Sequence, residues 1–335
     1  MGCLRETFEE AERRTLAPEA MHAADTRGRM SYSEKCTVRT EFQRDRDRII
    51  HSNSFRRLKQ KTQVFLDPEG DHYRTRLTHT LEVSQIARTV ARALSLNEDL
   101  TESIALGHDL GHTPFGHAGE RMLNAIYEGG FKHNEQSLRI VDTLEKGGKG
   151  LNLTFEVRDG ILNHVGIGKA ITLEGRIVRH ADRIAYVNHD FDDAVRAGIL
   201  SESSLPENVR SVLGKSKSER INSAVLDLIS ASAERRDIVF SPEIGNVMEE
   251  FHEFMFDTVY KNPVAKSQEG KAQEMLATLY RHFIADPDKL PAEYRQTREK
   301  EGVSRAVCDY IAGMTDRYAL EVFKEIYIPK NWQVL

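Results

Sequence analysis

Apolar residues recur along most of this chain at the spacing of a helix face. Between 77 and 95, Val83, Ile86, Ala87, Val90, Ala91 and Leu94 form an i, i+3, i+4, i+7 stripe that predicts a helix. His79 lies four residues before Val83 and falls on the same inward face. A second helix is expected over 98–109, with Leu100, Ile104 and Ala105 apolar. Gly111, Pro114 and Gly116 end it near His108-Asp109. A third is expected over 174–198, where Val178, Asp182, Ala185 and His189 share a face and Gly198 is a natural stop. An unpaired aspartate on such a face is costly, and a metal or a basic partner for Asp182 resolves that cost.

Amphipathic stretches at 218–235, 245–260 and 270–285 predict further helices, and Tyr327-Ile328-Pro329 ends the last one. Residues 39–61 read as a helix in which Arg44, Arg46 and Arg48 alternate with Asp45 and Asp47, a solvated, salt-bridged face. Residues 62–74 read as non-helical, turning at Pro68-Glu69-Gly70. Gly147-Gly148, Asn262-Pro263 and Asp286-Pro287 mark loops. Strand signals are few and no repeat is visible, so the expected fold is all-α. One compact unit is expected over 1–335, with a core at 40–200 and a helical region at 201–335 that carries no visible chemical cluster.

Composition narrows the function. The 335 residues can bury a substantial core, and 30% charged with 39% hydrophobic residues describes a globular chain. A net charge of −5 provides no global basic field for nucleic acid. Cys3, Cys36 and Cys308 are odd in number and far apart, which argues for reduced thiols and a cytoplasmic setting. No signal-peptide core, myristoylation pattern or run of membrane-helix length is present, so no membrane partner is expected.

The chemistry concentrates in Gly107-His108-Asp109-Leu110-Gly111-His112-Thr113-Pro114-Phe115-Gly116-His117. With no cysteine nearby, imidazole and carboxylate here suit a hard or borderline divalent ion rather than a thiolate zinc site. His79, His108, Asp109 and Asp182, from three helices, fit one metal site with open positions. Those positions allow Lewis-acid activation of a phosphoryl group.

The H…HD…D spacing matches the HD phosphohydrolase superfamily. The longer runs Arg74–Val83, Gly107–Glu120, Phe131–Ser137, Arg179–Tyr186 and Phe42–Ser52 strongly resemble the dGTPase-type deoxynucleoside triphosphate triphosphohydrolases, across roughly residues 30–200. The resemblance implies an HD-type helical core with a C-terminal helical extension. It also implies cleavage of a dNTP at the α-phosphorus to deoxynucleoside and tripolyphosphate. By the motif match, His79, His108, Asp109 and Asp182 are the ligands of a divalent ion (Mn, Mg, Fe or Co). His117 takes the catalytic position with Glu120 as its partner, and His112, His133 and Arg76 line the phosphates. Tyr186 packs on the sugar, Asp190 takes the 3′-OH and Gln63 contacts sugar and base edge. Two assignments stay open: a metal-activated water attacks while His117 acts as general acid, or His117-Glu120 activates the water. The resemblance also implies a homo-oligomer, with a dNTP activator as a further partner.

His108-Asp109-Leu110-Gly111-His112 superficially resembles the HExxH of metalloproteases, but it lacks the glutamate and the glycines break the helix that motif needs. Another HD activity (a 5′-nucleotidase, phosphodiesterase or alarmone hydrolase) is an alternative enzyme reading. A non-catalytic dNTP-sensing or nucleic-acid-binding protein is a non-enzymatic one, supported only by the basic 44–61 segment. His164, His180 and His189 carry no assigned role beyond packing or support of a ligand.

Overall fold

A computed structural model of the chain describes residues 3–63, 74–233, 236–262 and 268–330. The expected Pro68-Glu69-Gly70 turn and Pro263 lie outside these residues. Among the described residues every extended element is helical, and the only bridges are the isolated pairs Arg29–Thr154 and Thr62–Thr75. None of the described helices is long and apolar enough to cross a membrane.

The central helices begin where side chains can satisfy their free N–H groups. Thr75 caps Arg76–Ala93 through a reciprocal box with Thr78. Asn97 accepts from Leu100 N at the start of Glu98–Gly107, and Thr172 accepts from Gly175 N at the start of Leu173–Arg196. These three helices pack on one another, with Glu41–Ile50 and Phe155–Leu162 against the second. The stripe read from sequence is buried as far as Ala91, with Leu94 partly buried at its end: Val83, Ala87, Val90 and Ala91 have no exposed surface.

Two expectations need correction. The helix expected over 98–109 ends at Gly107, so His108 and Asp109 stand in the turn that follows. The 39–61 segment is not one helix. Glu41–Ile50 stops, Ser52 caps a short helix at Asn53–Arg57, and a 3-10 turn follows. The break comes where the Ser52 hydroxyl offers Phe55 N an alternative to continued helix. Its arginines are engaged within the protein: Arg39 with Asp47, Arg44 with Glu41, and Arg46 with Asp47, Asp99 and Glu102.

The C-terminal region divides between two apolar cores. Residues such as Val209, Leu228, Met248 and Phe251 join the core of the central helices. Leu276, Leu279, Val307 and Ile311 instead form a second core with Phe115, Met122, Leu123 and Phe131. The second core is therefore built around the segment that leaves the histidine-rich turn.

Glu174 ties the N-terminal segment to the centre. Its Oε1 accepts from Met21 N (3.0 Å) and Asn97 N (3.1 Å), while Oε2 is buried without a partner. Burial pushes this carboxyl up from 4.5 to about 7 despite those bonds. Between these values the unfolded chain has lost the proton and the folded chain keeps it, so stability falls as pH rises through this window. In Glu174→Gln, urea unfolding measured from pH 4.5 to 7 is expected to lose that component of the fall.

Candidate functional site

The turn after Gly107 brings the ligand-type residues together. Gly111 makes it possible: a Cβ there would lie 2.2 Å from Ser137 N and 2.3 Å from His133 O, so only glycine lets the turn approach the His133–Arg139 helix this closely. Ser137 Oγ links the two by donating to His108 O (2.7 Å) and accepting from Gly111 N (2.8 Å).

His79, His108, Asp109 and Asp182 do converge. His79 Nε2 lies 3.0 Å from Asp182 Oδ1 and 3.9 Å from Asp109 Oδ2. His108 Nε2 lies 3.4 Å from Asp109 Oδ1 and 3.8 Å from Asp182 Oδ1. The basic partner that Asp182 required is thus His79. His108 Nδ1 donates to Ala105 O at 2.6 Å, which turns its Nε2 toward the carboxylates. That atom is buried, has no hydrogen-bond partner, and faces two carboxylates. A buried ring nitrogen and two carboxylates without hydrogen bonds between them are groups that a shared cation would satisfy. The donor set, with the second nitrogen of His108 fixed by a carbonyl, suits a divalent metal. His79, His108 and Asp109 have ligand atoms close enough to share one ion, and Asp182 borders them.

Arg76 is fully buried, not a surface ion pair, and donates to Asp109 Oδ2 at 2.9 Å. His112 Nε2 donates to Asp109 Oδ1 at 3.1 Å, and its ring stacks on His133 with centroids 4.0 Å apart. Burial, reinforced by Arg76 and His133, holds the His112 imidazole well below its ordinary value and hence neutral. Asp109 stays ionised because His108, His112 and Arg76 together outweigh its burial.

Helix Gly116–Ile126 starts directly after the turn, and Phe115 at its head has a left-handed φ of 60°. The C-terminal region holds this bend. Asp316 Oδ1 accepts from Phe115 N (3.0 Å), and its Oδ2 accepts from Thr62 Oγ1 (2.6 Å). Buried Lys61 donates to His112 O and to Ala312 O (3.0 Å). The helix then presents His117 and Glu120 one turn apart, with His117 Nδ1 at 3.2 Å from Glu120 Oε2. Glu120 Oε1 takes His133 Nδ1 and His133 N, both at 2.9 Å. Burial would raise the Glu120 carboxyl, but the bonds from His117 and His133 hold it well below its usual range. His117 is 63% exposed in its side chain, against 16% for Glu120.

A cavity of about 730 Å³ opens over this cluster, a size typical of small-molecule sites. Gln63, Arg76, His112, His117, Glu120, His133, Tyr186 and Asp190 all line it, so every expected substrate-side residue reaches one space. Of the three unassigned histidines, His164 belongs to the cluster. Its ring lies 5.0 Å from that of His108 and 5.4 Å from that of His133, and burial drives its imidazole down to about 3. His180 bonds Ile238 O and His189 lies beside Glu82, and neither lines the cavity.

The absence of chemistry expected after 201 is overturned. His252, Phe256, Val259, Tyr260, Lys261 and Glu269 form a wall of the cavity. Spacing of four between His252, Phe256 and Tyr260 was a readable signal of one face, though not of what that face meets.

Divalent manganese is expected to raise the melting temperature, because it binds the assembled cluster and not the unfolded chain. At a hundredfold excess over Kd this linkage amounts to about 2.7 kcal/mol. The shift should grow from pH 6 to pH 8 as protons cease to compete for histidine nitrogens, and Asp182→Asn should abolish most of it. An equal shift in that variant would place the ion elsewhere.

Residues 76–187 match the HD domain, and residues 238–325 match the phosphohydrolase-associated domain. The chain is 55% identical over 329 residues to the deoxyguanosinetriphosphate triphosphohydrolase-like protein of Caldanaerobacter subterraneus subsp. tengcongensis, covering 98% of this chain and 97% of the relative. It is 48% identical over 338 residues to the protein of that name from Clostridium tetani, with 98% and 97% covered. The crystal structure of a hypothetical protein from Aquifex aeolicus superposes with a TM-score of 0.48 at 18% identity, covering 85% of this chain and 68% of that one. The chain belongs to the deoxyguanosinetriphosphate triphosphohydrolase-like family of HD-domain proteins, and it is a metal-dependent HD phosphohydrolase.

Proposed function

We propose that this chain hydrolyses deoxynucleoside triphosphates, dGTP among them, to deoxynucleoside and intact tripolyphosphate by attack of water at the α-phosphorus. The His117–Glu120 pair carries this reading: a solvent-reachable imidazole, oriented by a half-buried carboxylate, at the cavity that holds the ligand cluster. A divalent cation held by His79, His108, Asp109 and Asp182 would polarise a phosphoryl oxygen and acidify water there.

The other residues supply charge, shape and a proton. Arg76 brings a fixed positive charge to the phosphates from beside Asp109. Buried, neutral His112 and the half-buried His133 stacked on it offer hydrogen bonds at the same end of the cavity. The departing 5′-oxygen of the deoxynucleoside needs a proton. His117 is engaged at Nδ1 by Glu120, which leaves Nε2 to deliver it. Glu120 remains ionised across the working range and stabilises the imidazolium before transfer. Tyr186, one turn beyond Asp182, would lie on the sugar and crowd a 2′-hydroxyl. Asp190, two turns beyond, would accept from the 3′-hydroxyl. Gln63 Oε1 is buried without a partner and would accept from the sugar or base edge.

The test is product analysis with manganese and each dNTP, singly and mixed. Deoxynucleoside and tripolyphosphate in equal amounts is the expected result. Pyrophosphate with dNMP, or orthophosphate, would assign a different HD chemistry. His117→Ala should lower kcat about 10²–10⁴-fold and leave the melting temperature unchanged, since its side chain is mostly exposed. Unchanged turnover would remove His117 from the reaction.

A further inference from the structure

Part of the cavity wall is made by the segment that follows Pro242–Met255. There the α-helix widens into a π-turn, Phe256–Tyr260, closed by Lys261 N donating to Phe256 O at 3.1 Å. A wider turn is less favourable than α-helix and is retained mostly where it serves a site. Here it sets the register of Tyr260, whose hydroxyl donates to Asp190 Oδ2. The other oxygen, Asp190 Oδ1, is buried and has no hydrogen-bond partner. Both residues and Tyr186 line the same cavity.

An unmet acceptor on a fully buried carboxylate is costly, and a ligand hydroxyl would satisfy it. Which oxygen is left for the ligand depends on which one Tyr260 occupies. We propose that Tyr260 is a specificity-determining positioning residue: by holding Asp190 Oδ2, it aims Oδ1 at the 3′-hydroxyl of the nucleotide and makes the site require that hydroxyl. The proposal rests on the dNTP reading of the cavity for the identity of the hydroxyl. In a nucleotide lacking the 3′-hydroxyl, the aimed oxygen stays unpaired, which is how a site built around one hydroxyl rejects an analogue. Without the phenol, the carboxylate can turn toward other donors and the distinction fades.

The experiment compares the four dNTPs with their 2′,3′-dideoxy counterparts in two ways. Dissociation constants are measured in His117→Ala with manganese, with and without Tyr260→Phe. Values of kcat/KM are measured with Tyr260 intact and as Tyr260→Phe, on otherwise wild-type protein. The manganese-dependent melting shift confirms that each variant is folded. Tyr260→Phe is expected to shrink the preference for the 3′-hydroxyl by roughly 10–100-fold, the worth of one hydrogen bond to a charged group. The preference for dNTP over rNTP, which falls to Tyr186, should not change. A preference for the 3′-hydroxyl that survives Tyr260→Phe, or equal losses on both nucleotide sets, would overturn the proposal and leave the hydrolytic reading intact. A changed binding preference without triphosphate release in the wild type would uphold the proposal and end the hydrolytic reading. If neither nucleotide set binds, both fail.

Discussion

A carboxylate taken out of water must be met by positive charge or hydrogen bonds, and Asp109 organises the molecule around that requirement. Its Oδ2 takes Arg76 at 2.9 Å, its Oδ1 takes His112 at 3.1 Å, and His108 Nε2 stands 3.4 Å away. The partners come from two local structures: Arg76 from the first turn of Arg76–Ala93, and both histidines from the glycine turn that follows Glu98–Gly107. The two helices must cross where these groups meet. The apolar stripes facing each other along them fix that crossing, so core packing and site assembly are one constraint.

The same turn links the two cores. Its N-terminal side grows out of the central helices, while its C-terminal side, from Phe115 onward, is packed by the 272–319 region. The strained bend at Phe115 persists because Asp316 holds Phe115 N from that region, while Lys61 ties His112 O to Ala312 O. The exposed histidine at the head of the next helix is thereby fixed relative to the buried ligand cluster, which is what proton delivery to a reacting oxygen demands.

Much of this was readable in the sequence. The stripe through Val83 and Val90 placed His79 inward, and the glycines around Pro114 ended the second helix near Asp109. The i, i+3 spacing paired His117 with Glu120. The part that was not readable depends on meetings between distant segments. No local pattern announces that Arg76 is buried against Asp109, that His164 stands beside His108, or that Glu120 serves His133 as well as His117. The C-terminal part of the cavity wall was missed for the same reason. Tyr260 reads as one more aromatic on an amphipathic helix, and only the π-turn directs it to Asp190. The helix break at Ser52 was a weaker local signal, outweighed by a strong run of arginines and aspartates.

The central claim is that water attacks the α-phosphorus while His117 protonates the departing 5′-oxygen. Turnover of a dNTP in water enriched in oxygen-18, with both products weighed by mass spectrometry, tests it directly. The account requires the heavy oxygen in tripolyphosphate and none in the deoxynucleoside. Label in the 5′-hydroxyl would mean cleavage of the carbon–oxygen bond, label in a nucleoside monophosphate would mean that pyrophosphate leaves in place of the 5′-oxygen, and label in pyrophosphate would mean attack at another phosphorus; any of these results would contradict it.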